Sequence, residues 1–496
     1  MNRNSETEYE KLIKTYMSKI KEVEICKRTG LKISYISKIK NGKRVPKEYD
    51  TLERIMNAIN LTGQKRMELT MAYQLERDRS LGMFYKAFTK LHTLQYPHPP
   101  KAYRTVQQSR IKNLRKNTVC LSGDDLIAAI KQLVESADNE VLIFFTPLSD
   151  YSSDKMCAAL YDIPDNITLH WLMPFDDRSK GYEKLNIVVN CFKILSLKSF
   201  GITKFTCDLN ELLEIHPFPF FIMNEREIIQ FSNDMSFGER LTDPVLRDLY
   251  FQKYKNSRRL AKSSFIRSFD LLDNTREALA VVGNDIAAIL GRGCEYYVLG
   301  PTPCIIFGTQ ESRTLLSIMA KGIDRLQIPN HYTKLLKMIL ENSEKIIHFF
   351  SYDCFQHYLD DENFYEISPY LSQNIPKEMR FKRTVDFLSN SGLLGENRSN
   401  KRVGLYGMNI PEFSLSNPFT GMNMVNNTKS KDMGMSVFFY DFNEKTMLIA
   451  INDKSITENF IYLMEILNKP GLIDTTEQTM LRLEKELEVR GVLLND

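Results

Sequence analysis

The sequence predicts a multidomain protein: an all-α N-terminal domain, followed by an α/β or α+β body built from two related halves. Three observations support this fold class. The chain has 496 residues, and typical domain sizes divide that length into about three units. Apolar residues recur at helical spacing near the N-terminus. From residue 119 onward, short β-rich apolar runs alternate with helical stretches, which is typical of mixed folds.

Four short helices are predicted at the N-terminus. Apolar positions repeat every three or four residues over 9–20 and again over 22–29, as expected for helices with one buried face. Gly30 ends the second helix, because glycine readily adopts the left-handed backbone of a helix C-terminus. A third helix starts within Lys32–Ser34, and a fourth follows Pro46. Together these helices form the all-α part of the predicted fold.

The N-terminal helices carry the positive charge of the chain. Residues 1–60 hold fourteen Lys and Arg against eight Asp and Glu, a net charge of +6, whereas the whole chain carries +4, so the remainder carries −2. A basic unit on a near-neutral body favours a polyanionic partner. In the third helix, Ile36 and Ile39 bury one side. The residues left on the open side and in the exit after it are Lys32, Ile33, Ser34, Ser37, Lys38, Lys43 and Arg44.

The run GLKISYISKIKNGKRVP over residues 30–46 resembles the helix-turn-helix of the phage-repressor/Cro-type (XRE) family, in which GVSxxYISxIENGKRxP is a common form. The resemblance covers roughly the first 60 to 80 residues. It implies that the third helix docks in the major groove of double-stranded DNA. Ile33, Ser34 and Lys38 then occupy the base-reading positions, with the other open-side residues of the helix beside them. Lysine donates to guanine, serine bonds several base edges, and isoleucine packs on a thymine methyl.

The resemblance also implies phosphate contacts around the third helix. Lys43 and Arg44 hold the DNA backbone and set the register. The family often has glutamine at the start of the second helix, where it meets a phosphate. Here that position is Glu22, which repels phosphate, and we expect Lys21 to make the contact instead. Two alternatives stay open: a basic face that contacts only solvent, and a helix-turn-helix that contacts a protein.

The function that the resemblance implies is a one-component, sequence-specific transcriptional regulator, such as a bacterial repressor. A DNA-binding head would be joined to a body that senses an unknown small-molecule or peptide effector. We expect a homodimer, because one head buries little surface and two half-sites raise affinity. No cofactor and no enzymatic activity are expected. Two other functions stay open: an enzyme with an autoregulatory DNA-binding head, and a protein-interaction factor of the antitoxin-like or phage-response kind.

The rest of the chain divides where its composition changes. Two pairs of runs are similar, 140–146 to 345–351 and 220–234 to 439–453. They indicate an internal duplication, with chance similarity between short β-rich runs as the alternative. The predicted units are a helix-turn-helix domain over 1–80, a connecting helix and proline-rich linker over 81–118, a first half over 119–262, a bridging region over 263–324, and a second half with a C-terminal amphipathic helix over 325–496.

A duplicated α/β unit that closes with a hairpin and a helix is similar in layout to the phospholipase D-like fold, which some regulators use as a non-catalytic sensor. The catalytic motif of that fold is HxKxxxxD. None of the seven histidines begins this motif, and the run that starts at His331 misses it by one residue. The resemblance therefore implies the layout without the catalysis.

No metal, cofactor or membrane site is expected. The eight cysteines are scattered and form no CxxC pair, so they do not match a clustered thiolate site. The acidic pairs Asp176-Asp177 and Asp360-Asp361 lie in polar stretches and are predicted to be solvated turns. No run approaches the roughly 18 apolar residues of a membrane helix, and the polar N-terminus has no apolar signal core. We therefore expect a cytoplasmic protein.

Overall fold

The structure of the protein, a computed structural model, describes most of the chain. The described residues are 6–92, 120–261, 264–300, 338–339, 341–360, 403–408, 419–441, 446–468 and 473–491. The predicted proline-rich linker between residues 93 and 118, and the run that starts at His331, lie outside them.

Six helices form the described N-terminal residues 6–92. They are α1 (Glu8–Met17), α2 (Glu22–Thr29), α3 (Ile33–Lys40), α4 (Tyr49–Ala58), α5 (Gly63–Arg77) and α6 (Arg79–His92). Local sequence sets their ends. Thr7 and Glu10 form a capping box at the start of α1, which satisfies backbone N–H groups that have no partner within the helix. Gly30 ends α2 with a φ of 72°, a left-handed conformation that glycine adopts without steric cost.

The helices α1 to α5 share one hydrophobic core. Its fully buried side chains include Ile13, Ile25, Ile36, Ile39 and Ile55. These residues recur at helical spacing, so each helix buries one face and leaves the other exposed. The predicted inward positions of the third helix are therefore confirmed, and the exposed side chains of α3 are those of Ile33, Ser34 and Lys38.

The helix α6 packs on the body of the protein. Phe84 and Phe88 are buried in the core of the body, and their ring centres lie 4.8 and 5.1 Å from that of Phe460. Asp78 ends α5, and its carboxylate accepts a hydrogen bond from the N–H of Leu81 in the first turn of α6. The sequence predicts a connecting helix here. The structure shows instead a helix whose apolar face the body covers.

The body is a large mixed sheet with helices packed on it. Its first strands and helices are β1 (Cys120–Ser122), α7 (Asp124–Glu135), β2 (Glu140–Phe144), α8 (Asp150–Ala159), β3 (Thr168–Phe175), α9 (Gly181–Leu195), β4 (Gly201–Thr206), α10 (Leu209–Ile215), β5 (Phe220–Met223), β6 (Ile228–Phe231), β7 (Phe237–Leu241) and α11 (Pro244–Leu260).

The remaining described strands and helices continue the same sheet. They are β8 (Ser264–Asp270), α12 (Leu271–Ile289), β9 (Cys294–Gly300), β10 (Lys345–Ser351), α13 (Tyr352–Asp360), β11 (Val403–Met408), β12 (Phe419–Asn427), β13 (Gly434–Asp441), β14 (Thr446–Ile451), α14 (Lys454–Asn468) and α15 (Thr476–Val489). The sheet and its helices confirm the predicted α/β body. Among the described helices, none combines the length and the apolar character that a membrane crossing requires.

The strand order repeats across the sheet. The first seven positions are β1-β7-β6-β5-β2-β3-β4, and the next seven are β8-β14-β13-β12-β9-β10-β11. The pairing directions repeat as well, because in each set the last three strands are parallel and the other neighbours are antiparallel. Antiparallel pairing of β4 with β8 joins the two sets. The two sets therefore have the same topology.

The repeat in topology begins earlier than the similar runs in the sequence indicate. Residues 264–300, predicted as part of a bridging region, form β8, α12 and β9 of the second set. The similar runs 140–146 and 345–351 contain β2 and β10, which stand at different positions in the repeated order. Both strands are buried, and buried strands draw on the same few apolar residues. Residues 264–300 therefore belong to the sheet and do not merely connect two halves.

Candidate functional site

The open side of α3 carries most of the residues that the sequence singles out. Lys32, Ile33, Ser34 and Lys38 are exposed, and Ser37 is half-buried. Ile33 leaves 51% of its surface to solvent, whereas the isoleucines on the other side of the helix are fully buried. One face of the helix therefore offers an apolar contact, hydroxyl groups and two ammonium groups together.

The turn after α3 extends this face. Gly42 takes a φ of 69°, and the N–H of Lys43 donates to the carbonyl of Lys38 at 2.8 Å, which closes the helix end. Lys43 and Arg44 are exposed. The guanidinium of Arg44 lies 4.7 Å from the centre of the Tyr35 ring, a cation–π contact that restrains its position.

Two helices begin beside this face without a capping side chain. The N-cap residue of α2 is Lys21 and that of α3 is Lys32, and neither side chain caps its helix. The first backbone N–H groups of both helices are therefore open to water or to an anion, and the helix dipole adds partial positive charge there. Lys21 is exposed, and Glu22 is half-buried in the first turn of α2.

We call this region the α3 surface. It consists of Lys21, Lys32, Ile33, Ser34, Ser37, Lys38, Lys43 and Arg44. The ion pairs within the described N-terminal residues 6–92 join Lys11 to Glu8, Lys14 to Glu6, Arg28 to Glu24 and Arg66 to Glu53. Within that range, no ion pair includes a cation of the α3 surface. Its five positive charges are therefore available to an external anion.

A second group of charges lies in the body, where the two sets of strands meet. This junction cluster consists of Asp177, Lys184, Lys204 and Asp453. The ammonium groups of Lys184 in α9 and Lys204 in β4 lie 3.7 and 3.6 Å from the Asp453 carboxylate. Lys204 also donates to Asp177 at 2.7 Å. Lys184 and Asp453 are 6% and 8% exposed. Two cations and two carboxylates balance, so the cluster connects the two sets without net charge.

The acidic pair Asp176-Asp177 lies in a turn, as the sequence predicts, and Asp177 is exposed there, but both carboxylates have cationic partners. Asp177 accepts hydrogen bonds from Lys204 and from the hydroxyl of Thr206, the latter at 2.7 Å. Desolvation raises the pKa of Asp177, but these hydrogen bonds outweigh it and leave the pKa below its ordinary value. The hydrogen bonds from Arg178 hold the pKa of Asp176 below its ordinary value. Both carboxylates are therefore ionised partners of nearby cations.

The second acidic pair is described in part. Asp360 forms an ion pair with Arg490 at 2.7 Å, and Asp361 lies outside the described residues. Among the residues that the structure describes, no group of three or more His, Cys, Asp or Glu side chains is placed to hold a metal ion. The sequence predicts no role for Lys184 or Asp453. The one signal in the sequence is that Asp453 ends the run 439–453, which is similar to the run 220–234.

Comparisons with known proteins find little similarity. No family model matches the chain, and no curated protein matches it. Among solved structures, the chain is similar to phosphatidylserine synthase from Haemophilus influenzae Rd KW20, with a TM-score of 0.24 and 8% identity. The match covers 78% of this chain and 100% of that one. It loosely agrees with the phospholipase D-like layout predicted for the body. Similarity at this level carries no argument about activity or ligands.

The comparison contradicts the expectation of a one-component, sequence-specific transcriptional regulator. One solved structure to which the chain is similar is a phosphatidylserine synthase, and no family model or curated protein of a regulator matches the chain. The expectation extends a resemblance of roughly the first 60 to 80 residues to a chain of 496. A motif in one domain does not determine what a whole protein does, and the expectation is wrong for that reason.

Proposed function

We propose that α1 to α5 form a helix-turn-helix domain of the phage-repressor/Cro type, and that this domain binds double-stranded DNA through the α3 surface. One observation carries this proposal: among the described residues, five cations without an intramolecular ion pair surround a helix that exposes an isoleucine. A protein surface with these features matches the anionic backbone and the base edges of a duplex. Binding of DNA in this way does not require that the protein regulate transcription.

The dimensions of α3 suit a major groove. An α-helix with its side chains is about 10–12 Å in diameter, and the groove is about 12 Å wide. Ile33, Ser34 and Lys38 share the exposed side of the helix. Lys38 can donate to the O6 and N7 of a guanine, and Ile33 can bury its exposed surface against a thymine methyl.

Phosphate contacts around the helix would hold it in the groove. Lys43 and Arg44 follow α3, and the contact with Tyr35 restrains the guanidinium before binding, which lowers the entropy lost on binding. Lys21 stands at the uncapped start of α2, where backbone N–H groups and the helix dipole attract a phosphate. This arrangement compensates for the repulsion between Glu22 and the DNA backbone.

Fluorescence anisotropy of the full chain with a labelled duplex of about three helical turns tests the proposal. The logarithm of the association constant should fall linearly with the logarithm of the salt concentration, by about 0.9 per neutralised phosphate. Lys43→Ala should weaken binding and reduce that slope by about one unit. Lys11→Ala is the matched control, since Lys11 is an exposed lysine paired with Glu8 on α1 at 3.6 Å, and it should leave the slope unchanged.

A single strand of the same length separates groove binding from general attraction to a polyanion. A preference of about tenfold or more for the duplex, or about 1.4 kcal/mol, supports docking in the groove. Equal affinity for both forms would overturn it. The proposal also fails if the folded wild-type protein does not bind the duplex at low salt, or if Lys43→Ala and Lys11→Ala lose equal affinity.

A further inference from the structure

The outer edge of β11 is covered by the helix α15. The equivalent strand of the first set, β4, pairs with the strand β8 at that edge. In the second set, β11 pairs with β10 on one side and meets α15 on the other. The hydroxyl of Thr476 accepts a hydrogen bond from the N–H of Leu405 at 3.2 Å, and that of Thr479 accepts one from the N–H of Gly407 at 2.9 Å. Two side chains of α15 therefore satisfy amides that a neighbouring strand would otherwise bind.

The residues before α15 end the strand pairing. Ile473 forms an antiparallel bridge with Met408, and the N–H of Asp474 donates to the carbonyl of Gly407 at 2.9 Å. The chain then turns into the helix at Thr475, whose side chain and that of the residue three positions later form a capping box. The segment before α15 thus starts to pair with β11 as a further strand would, but the pairing ends after the single bridge between Ile473 and Met408.

Apolar and ionic contacts hold α15 in this position. Met480, Leu483 and Leu487 are buried along one side of the helix, as the amphipathic pattern of the sequence predicts. At its end, the guanidinium of Arg490 donates to both carboxylate oxygens of Asp360 in α13, at 2.8 and 2.7 Å. The helix therefore packs on its own chain and covers the β11 edge.

The opposite edge of the sheet carries a strand that could complete the missing pair. In the repeated order, β1 holds the place in the first set that β8 holds in the second. Among the described strands, β1 has β7 as its neighbour, and its residues Cys120 and Ser122 are exposed. Pairing of the β11 edge of one copy with the β1 edge of the next would join copies head to tail. Each added copy leaves a free edge of each type, so the contact can repeat and form a chain of copies.

We propose that α15 is a stop that limits the sheet to two sets of strands, and that without it the β11 edge of one chain pairs with the β1 edge of a second copy. The β4–β8 pair within the chain is the template for that contact. Without the two threonine hydroxyls, the buried N–H groups of Leu405 and Gly407 would have no hydrogen-bond acceptor, which is energetically unfavourable. Pairing with a strand of a second copy would supply carbonyl acceptors.

The full chain with Thr476→Val and Thr479→Val tests this inference, since valine keeps the shape of threonine and removes the acceptor. Light scattering after size-exclusion chromatography should show a mass that rises with concentration to several times the wild-type value. The matched control carries serine at both positions, which keeps the hydroxyl acceptors, and its mass should stay at the wild-type value.

Adding Cys120→Lys to the double-valine protein identifies the partner edge, because an edge lysine opposes strand addition. The mass should return to the wild-type value. A wild-type mass in the double-valine protein overturns the inference, as does association that Cys120→Lys does not reduce or that the serine control shares. If circular dichroism shows that the valine protein does not fold, removal of residues 474–496 is measured with the same Cys120→Lys comparison and the same criteria.

Discussion

Replacing Asp453 with asparagine measures the energetic role of the junction cluster. The amide keeps the shape of the carboxylate and its hydrogen bonds at the start of α14, but it removes the negative charge between Lys184 and Lys204. Lys204 retains Asp177 at 2.7 Å. Among the ion pairs of the described residues, Lys184 takes part in the one with Asp453. The substitution therefore leaves a buried ammonium without its counterion.

The size of the effect follows from the burial of Lys184, which is 6% exposed. Breaking a buried ion pair by removing one partner costs about 3–5 kcal/mol. We therefore expect Asp453→Asn to lower the free energy of unfolding by about 3–5 kcal/mol.

Asp177→Asn is the matched control for burial. It is the same chemical change in the same cluster, but the Asp177 side chain is 46% exposed. Solvent screens its ion pair, and exposed pairs contribute about 1 kcal/mol or less. The difference between the stability losses of the two variants therefore measures how much the burial of the ion pair increases the cost of breaking it.

Urea denaturation followed by the fluorescence of Trp171 measures these losses. Trp171 is the single tryptophan of the chain, and its indole N–H donates to the carbonyl of Phe145 at 2.7 Å in the core of the first set. A loss in Asp453→Asn that equals the loss in Asp177→Asn would refute this reasoning.

Three further expectations come from packing and hydrogen bonding. Phe460→Ala should destabilise the body by about 3–5 kcal/mol, measured by urea denaturation, because its buried ring contacts both phenylalanines of α6. The lowered pKa of Asp177 means that this residue contributes stability above its unfolded pKa of about 3.9, and that the contribution is lost as the pH falls through the lower folded value. Thr206→Val removes one hydrogen bond that lowers the pKa of Asp177, so the contribution should be smaller and its loss should be complete at a higher pH in an acid titration. Gly407→Ala should destabilise β11 and speed hydrogen exchange of its amides, because the added Cβ would overlap the ring of Tyr352.

The N-terminal helices could be predicted closely because their signals are local. The second helix is predicted over 22–29, and α2 spans Glu22–Thr29. The third starts at Ile33, within the predicted window. Apolar spacing and a glycine stop act over a few residues, so both can be read from a single sequence. The exposure of the α3 surface follows from the same spacing, since burial of Ile36 and Ile39 determines which side chains face outward.

Contacts between distant segments could not be predicted in this way. The aromatic partner of Phe84 is Phe460, and Lys184 meets Asp453. Such pairs leave no periodic pattern in the sequence, because the local spacing of residues indicates whether a position is buried but not which distant residue it contacts. The similar runs 140–146 and 345–351 contain β2 and β10, which are not equivalent in the sheet. Apolar composition identifies a buried strand, but it does not specify the neighbour of that strand.

The packing of α6 determines how the α3 surface is held. The helix lies against α9 of the first set and α14 of the second, and the hydroxyl of Tyr462 in α14 donates to Asp78 at the α5–α6 corner at 3.2 Å. To turn independently of the body, α6 would have to expose Phe84 and Phe88, at about 1.5–3 kcal/mol for each ring. A total of about 3 kcal/mol or more leaves less than about 1% of molecules undocked.

The α3 surface therefore keeps one orientation relative to the sheet in nearly all molecules. A freely tethered domain would not respond to changes elsewhere in the chain. Because α6 contacts both α9 and α14, a shift of the second set against the first would move α6, and with it α5 and the α3 surface. The buried pair of Lys184 in α9 and Asp453 just before α14 opposes that shift. Its strength thus bears on the orientation of the proposed DNA-binding domain as well as on the stability of the sheet.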